Sequence, residues 1–97
     1  MLYTINKSPS STHNLTSLLR IAPAGSPILL YEDGVYGAMP SPQTIPIIQA
    51  AMDNHKIYAL DADLEARGID RVIDGIHIIG YDEFVELVEK HDVTPWL

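Results

Sequence analysis

The sequence contains no cysteine. That absence excludes disulfides, zinc–thiolate sites and a cysteine nucleophile within this chain. Positive charge is scarce: six Lys and Arg stand against thirteen Asp and Glu, a formal net charge of -7. A surface of that sign repels phosphate backbones, so direct nucleic-acid binding through a basic face is not expected. No apolar run approaches the ~20 residues that a membrane-spanning helix needs. The opening Met1-Leu2-Tyr3-Thr4-Ile5 has neither the positive flank nor the apolar length of a signal peptide, which makes the cytoplasm the expected location. Neither G-x-G-x-x-G nor G-x-x-x-x-G-K-[ST] occurs, and Gly34 and Gly37 alone do not make a phosphate cradle, so no cofactor is expected. Repeats and long linkers are also missing.

What is present is enough for one small folded unit. Of 97 residues, 46% are hydrophobic, well above the disordered range, and a single domain over 1–97 is expected. A chain this short buries only roughly 60–70% of the surface it exposes when unfolded, so some apolar surface is left over for a partner.

Short apolar runs alternate with helical periodicity, which predicts βα units around a mostly parallel sheet of four to five strands flanked by helices in three layers. Leu2 to Lys7 reads as a strand, ended by Ser8-Pro9-Ser10-Ser11; Ser11 or Thr12 can cap the helix that follows. Leu15, Leu18, Leu19 and Ala22 fall on one face of that helix. Pro27 to Glu32 is a second strand, and its continuous Ile28-Leu29-Leu30-Tyr31 suits a strand covered on both faces. Asp33-Gly34 turns the chain, and Val35 to Thr44 reads as a loop. A second helix runs from near Ile45 to Met52, with Pro46 in its first turn; a start at Ser41-Pro42 would place Pro46 inside it. Lys56 to Leu60 is a third strand. Asp61 reads as the cap of a short helix that stops at Gly68. Ile69 to Ile73 is a strand or a turn, and Ile76 to Ile79 is a further strand. Asp82 reads as the cap of the last helix, with Tyr81, Phe84, Leu87 and Val88 as its inner face and Glu86 with Lys90 as an i,i+4 pair.

Function in open α/β sheets gathers beyond the carboxyl ends of the strands. Asp33, Asp61 and Asp63 stand at such ends and could hold Mg²⁺ with waters. The same residues also have ordinary explanations, since Asp before Gly is a common turn and Asp a common helix cap. Among the histidines, His13, His55, His77 and His91, none is paired at i,i+4, so no metal-binding spacing appears. A Ser8, His13 and Asp33 set can be written down, but no nucleophile-elbow sequence supports it. Trp96 is the only tryptophan. It either folds back on its own core or, with Leu97, inserts into a partner, as tryptophans at interface hot spots do. Tyr36 and Met39 in the long loop pose the same choice.

Several segments in order resemble a known family. They are Asn6-Lys7-Ser8-Pro9; Leu29-Leu30-Tyr31-Glu32-Asp33-Gly34-Val35-Tyr36; Tyr58-Ala59-Leu60; Asp63-Leu64-Glu65-Ala66-Arg67-Gly68; Ile78-Ile79-Gly80-Tyr81-Asp82-Glu83-Phe84-Val85-Glu86-Leu87; and Trp96. Together they resemble the TusB/DsrH family of sulfur-relay proteins over nearly the whole chain. The resemblance implies a DsrE/F/H-like α/β fold and membership of a heterohexamer, a dimer of heterotrimers with TusC/DsrF-like and TusD/DsrE-like subunits. It implies that a cysteine of the TusD/DsrE-type subunit carries persulfide sulfur, which passes to a TusE/DsrC-type acceptor. The destination is 2-thiouridine at the tRNA wobble position, or, in the DsrH-type branch, dissimilatory sulfur oxidation. Some DsrH-type members have a cysteine in the first helix; here Leu15-Thr16-Ser17-Leu18-Leu19 has none. The resemblance therefore implies a non-catalytic subunit with no catalytic residue to carry over; the candidate partner contacts are those that position in the chain singled out, Tyr36, Met39, Trp96 and Leu97. The rival class is a stand-alone enzyme or ligand-binding domain built on Asp33, Asp61 and Asp63. A chain without its partners could also self-associate through the same apolar surface.

Overall fold

The computed structural model describes residues 1–96; Leu97, one of the candidate partner contacts, lies outside the described residues. Strand β1 (Leu2–Ile5) leads through helix α1 (Asn14–Ile21) to β2 (Ile28–Leu30). From there a 3-10 helix (Glu32–Ala38) and α2 (Thr44–Ala51) lead to β3 (Ile57–Leu60), and α3 (Asp61–Ala66) leads on to β4 (His77–Ile79). Helix α4 (Tyr81–Lys90) then returns the chain to β5 (Val93–Trp96). All pairings are parallel, in the order β4-β3-β2-β1-β5.

That order divides the helices between the faces. The first three crossovers step across the sheet in one direction, so a common right-handed sense puts their helices on one side. The last crossover runs back past β3, β2 and β1, and the same handedness sends α4 to the other side. The packing agrees. Ile5, Ile28, Leu30, Ile57 and Ala59 point into the larger cluster with Leu15, Leu18, Ile48 and Leu64 from the first three helices. Leu2, Leu29 and Ile79 point the other way, against Phe84 and Leu87 of α4. Alternation along β2, with Ile28 and Leu30 on one face and Leu29 on the other, leaves all three buried, as its continuous apolar run predicts.

Several boundaries differ from the sequence reading. β1 stops at Ile5, before Asn6 and Lys7, and β2 stops at Leu30. Residues Glu32–Ala38, read as the end of a strand, a turn and a loop, form a 3-10 helix. Its buried pairs, Gly34 with Gly37 and Val35 with Ala38, are spaced by three, the period of that helix. Gly34 is required there: a Cβ would run into the Ile5 carbonyl at the end of β1. Helix α2 starts at Thr44, so Pro46 falls in its first turn, where no N–H is missed. The three expected side-chain caps are not made. α1 is preceded by His13 without a side-chain cap, although the Asn14 N–H donates to Thr12 Oγ1 at 3.3 Å. Asp61 is the first residue of α3 and Asp82 lies in the first turn of α4, so both act on the helix dipole.

Gly68, with φ +66°, ends α3 as expected. The Gly68 N–H donates to the Glu65 carbonyl at 3.1 Å and the Ile69 N–H to the Leu64 carbonyl at 3.0 Å, the paired bonds of a Schellman motif. Ile69 to Ile73 is neither strand nor helix, and Ile73 is tied to the Ala38 carbonyl at 2.9 Å. Val93–Trp96, a segment to which the sequence assigns no element, is the fifth strand; its Pro95 is tolerated because β5 is an edge. On α4 only Phe84 and Leu87 face inward, while Tyr81 and Val88 are exposed, because the sheet-facing arc of a helix this short admits one stripe.

Candidate functional site

Beyond the carboxyl ends of β1 and β2 lies a groove of about 470 Å³. One wall is the Ser8–His13 segment with the start of α1, and the other is the 3-10 helix with the start of α2. Leu15 and Ile47 supply its apolar floor, and Tyr36, His13 and Gln43 its larger polar groups. Most of its hydroxyls are already engaged. Thr44 Oγ1 donates to the Met39 carbonyl at 2.7 Å, and the Ser41 hydroxyl, 2.8 Å away, is left to donate to Thr44 Oγ1. Ser41 Oγ also accepts the Thr44 N–H at 3.0 Å, which satisfies one orphan donor at the start of α2. The groove therefore suits an uncharged, partly apolar guest.

Tyr36 and Met39 are thus brought together on one rim, with Met39 exposed and Tyr36 half-buried. Trp96 stands apart, at the carboxyl end of β5 opposite Ile5. Its ring meets Tyr3 edge to face at 6.3 Å between centroids and packs against the larger cluster, half-buried. Its carbonyl accepts the Asn14 side-chain N–H at 3.4 Å, so the strand end is tied to the start of α1.

The acidic edge is built around a cation. Arg67 Nε donates to Asp33 Oδ1 at 2.9 Å, and its Nη1 lies 3.7 Å from Asp63 Oδ1 and 3.3 Å from the Asp63 carbonyl. The hydrogen bond to Asp33, followed by the charges of Asp33 and Asp63, raises the Arg67 pKa above its ordinary value. Asp63 Oδ2 also accepts the Glu32 N–H at 2.7 Å. Glu32 has φ +48°, a left-handed conformation disfavoured for a residue with a Cβ, and this bond helps hold it. The Glu32-Asp33-Gly34 and Asp63-to-Gly68 segments, noticed separately in the sequence, are therefore one clasp joining the 3-10 helix to α3. Asp61 does not take part in it. Among the described residues no three of His, Asp and Glu are grouped to hold a metal ion.

The Ser8, His13 and Asp33 set is not assembled. Ser8 Oγ is paired with Ser10 Oγ at 2.9 Å, and Asp33 faces Arg67. Sequence reasoning missed Arg67 as the centre of the clasp. The i,i+4 spacing of Asp63 and Arg67 was a usable signal, whereas Asp33 joins only through the fold. No helix among the described residues is long and apolar enough to cross a membrane.

Comparison with known proteins gives a family by sequence and a fold by structure. The family model described as "DsrH like protein" matches residues 7–94. The chain is 41% identical over 92 residues to Protein TusB of Serratia proteamaculans, covering 94% of each chain. It is 37% identical over 92 residues to Protein TusB of Escherichia coli K12, again covering 94% of each. Among solved structures, the MTH1491 protein of Methanobacterium thermoautotrophicum superposes with a TM-score of 0.76 at 14% identity, covering 97% of this chain and 96% of that one. The ychN protein of E. coli does so with a TM-score of 0.73 at 20% identity, covering 97% of each. The α/β fold with a parallel sheet, expected from the resemblance, is the one observed.

Proposed function

Because this chain belongs to the DsrH-like protein family, we propose that it is a non-catalytic subunit of a sulfur-relay complex that serves 2-thiouridine formation at the tRNA wobble position. One observation carries the reading: relatives named TusB match almost the full chain, yet the chain has no thiol to carry sulfur. The persulfide cysteine then belongs to a TusD-like neighbour, and a TusC-like subunit completes each heterotrimer of a dimer of heterotrimers. The sulfur leaves to a TusE-like acceptor. This chain contributes surface that assembles and positions the cysteine-bearing subunit, and its acidic charge suits a subunit that does not touch tRNA.

The groove edged by Tyr36 and Met39 is assigned to contact with one of these subunits, as are Trp96 and Leu97. A groove with most of its hydroxyls engaged and an apolar floor favours an uncharged side chain from a neighbour over a charged substrate.

Co-expression with TusC-like and TusD-like subunits from the same genome tests the proposal. The expected result is a single species with the mass of a heterohexamer, together with loss of 2-thiouridine from tRNA when this chain's gene is deleted. Separate elution of the three chains, or unchanged tRNA thiolation in the deletion strain, contradicts it.

A further inference from the structure

The sheet face under α4 is incompletely covered. Five parallel strands spaced ~4.8 Å apart make a face roughly 20 Å wide, while one helix is about 10 Å across. Leu2, Leu29 and Ile79 beneath α4 are buried. At the flanks the register places His77 of β4 beside Tyr58, and Val93 and Pro95 of β5 beside Leu2 and Thr4, on this same face, and all three flank residues are exposed.

Helix α4 carries a second apolar stripe besides Phe84 and Leu87. Tyr81, Val85 and Val88 follow i, i+4 and i+7 and are 60%, 49% and 39% exposed. Successive residues are about 100° apart, so these three fall within a narrow arc next to the sheet-facing one. Asp82 and Glu89 lie roughly a quarter-turn further round, with Glu86 beyond them. The segment from Tyr81 to Asp92 holds five carboxylates, Asp82, Glu83, Glu86, Glu89 and Asp92, against Lys90 and His91.

We propose that the Tyr81-Val85-Val88 stripe and the adjoining sheet face dock a neighbouring protein subunit whose contact surface is apolar at its centre and bordered by Lys and Arg. The charge selects the occupant. A second copy meeting this face symmetrically would set one acidic helix against another within a chain whose net charge is already -7, with like charges opposed at a desolvated contact. A basic-rimmed partner turns the same carboxylates into steering and register. This inference rests on the reading of the chain as a subunit of a heteromeric complex, and it names which surface does the joining.

The test uses the full chain with the TusC-like and TusD-like subunits. V85K/V88K places two charges in the stripe at exposed positions. It is expected to leave the melting temperature of the isolated chain within a few degrees of wild type and to weaken assembly by about tenfold or more. Ile21→Lys, a more exposed apolar site on α1, is expected to change neither. E86K/E89K is expected to weaken assembly severalfold and flatten its salt dependence. Wild-type assembly matched by V85K/V88K overturns the surface and leaves the proposed function standing. Failure of the wild-type chain to assemble overturns both. Self-association of the wild-type chain that V85K/V88K abolishes overturns the choice of a basic-rimmed partner over a second copy.

Discussion

The two faces of this sheet are covered to different extents, and chain direction accounts for the difference. One face receives α1, α2 and α3 because three successive crossovers step the same way; the other receives only α4, after the single reversal that brings β5 back beside β1. On the first face, side chains such as Leu18, Ile28, Leu30 and Ile48 are fully buried. On the second, α4 has no buried residue at all. An exposed apolar stripe on a helix is then a consequence of topology: a sheet finished on one side by several helices is left half-finished on the other. For a subunit of a complex, the unfinished side is where a neighbour adds most.

Substitutions on the two faces sharpen this contrast. The largest effect is expected from Leu18→Ala, which empties a fully buried site and should cost roughly 3–4 kcal/mol, a fall of well over ten degrees in melting temperature by calorimetry. Gly34→Ala should cost about 3 kcal/mol, because the added methyl must push the 3-10 helix off the end of β1. Phe84→Ala, on the thinly covered face, should cost only about 1.5 kcal/mol in the isolated chain, as its ring is half-buried, and visibly more in the complex. A Phe84 cost equal to that of Leu18 in the isolated chain would break the comparison. The smallest effect belongs to the clasp: Asp63→Ala should cost about 1 kcal/mol and speed hydrogen exchange at the Glu32 amide, with exchange elsewhere little changed.

The fold was legible where the pattern was local. The run Ile28-Leu29-Leu30, the stripe Leu15-Leu18-Leu19 and the stop at Gly68 each state their own structure. Three features were not legible for a shared reason. The 3-10 helix was hidden because Gly34 reads as a turn residue, and its close approach to Ile5 is set by a strand some thirty residues away in sequence. The fifth strand was hidden because Pro95 argues against a strand until the segment is known to be an edge. The outer stripe of α4 was merged with its inner face because periodicity marks apolar positions but not how wide a surface waits to receive them. As for the candidate site, Tyr36 and Met39 do share one rim. Trp96 proved to belong to another part of the molecule, where it packs on Tyr3. The joining of Asp33 to Asp63 through Arg67 depended on the tertiary fold.

Hydrogen exchange of residues 81–93, in the free chain and in the complex with TusC-like and TusD-like subunits, tests the central claim most directly. In the free chain α4 should exchange faster than α1 or α2, since no residue anchors it deeply. In the complex its exchange should slow by about tenfold or more, to the level of the better-covered helices. Equal exchange of α4 in the free chain and in an intact complex would contradict the account.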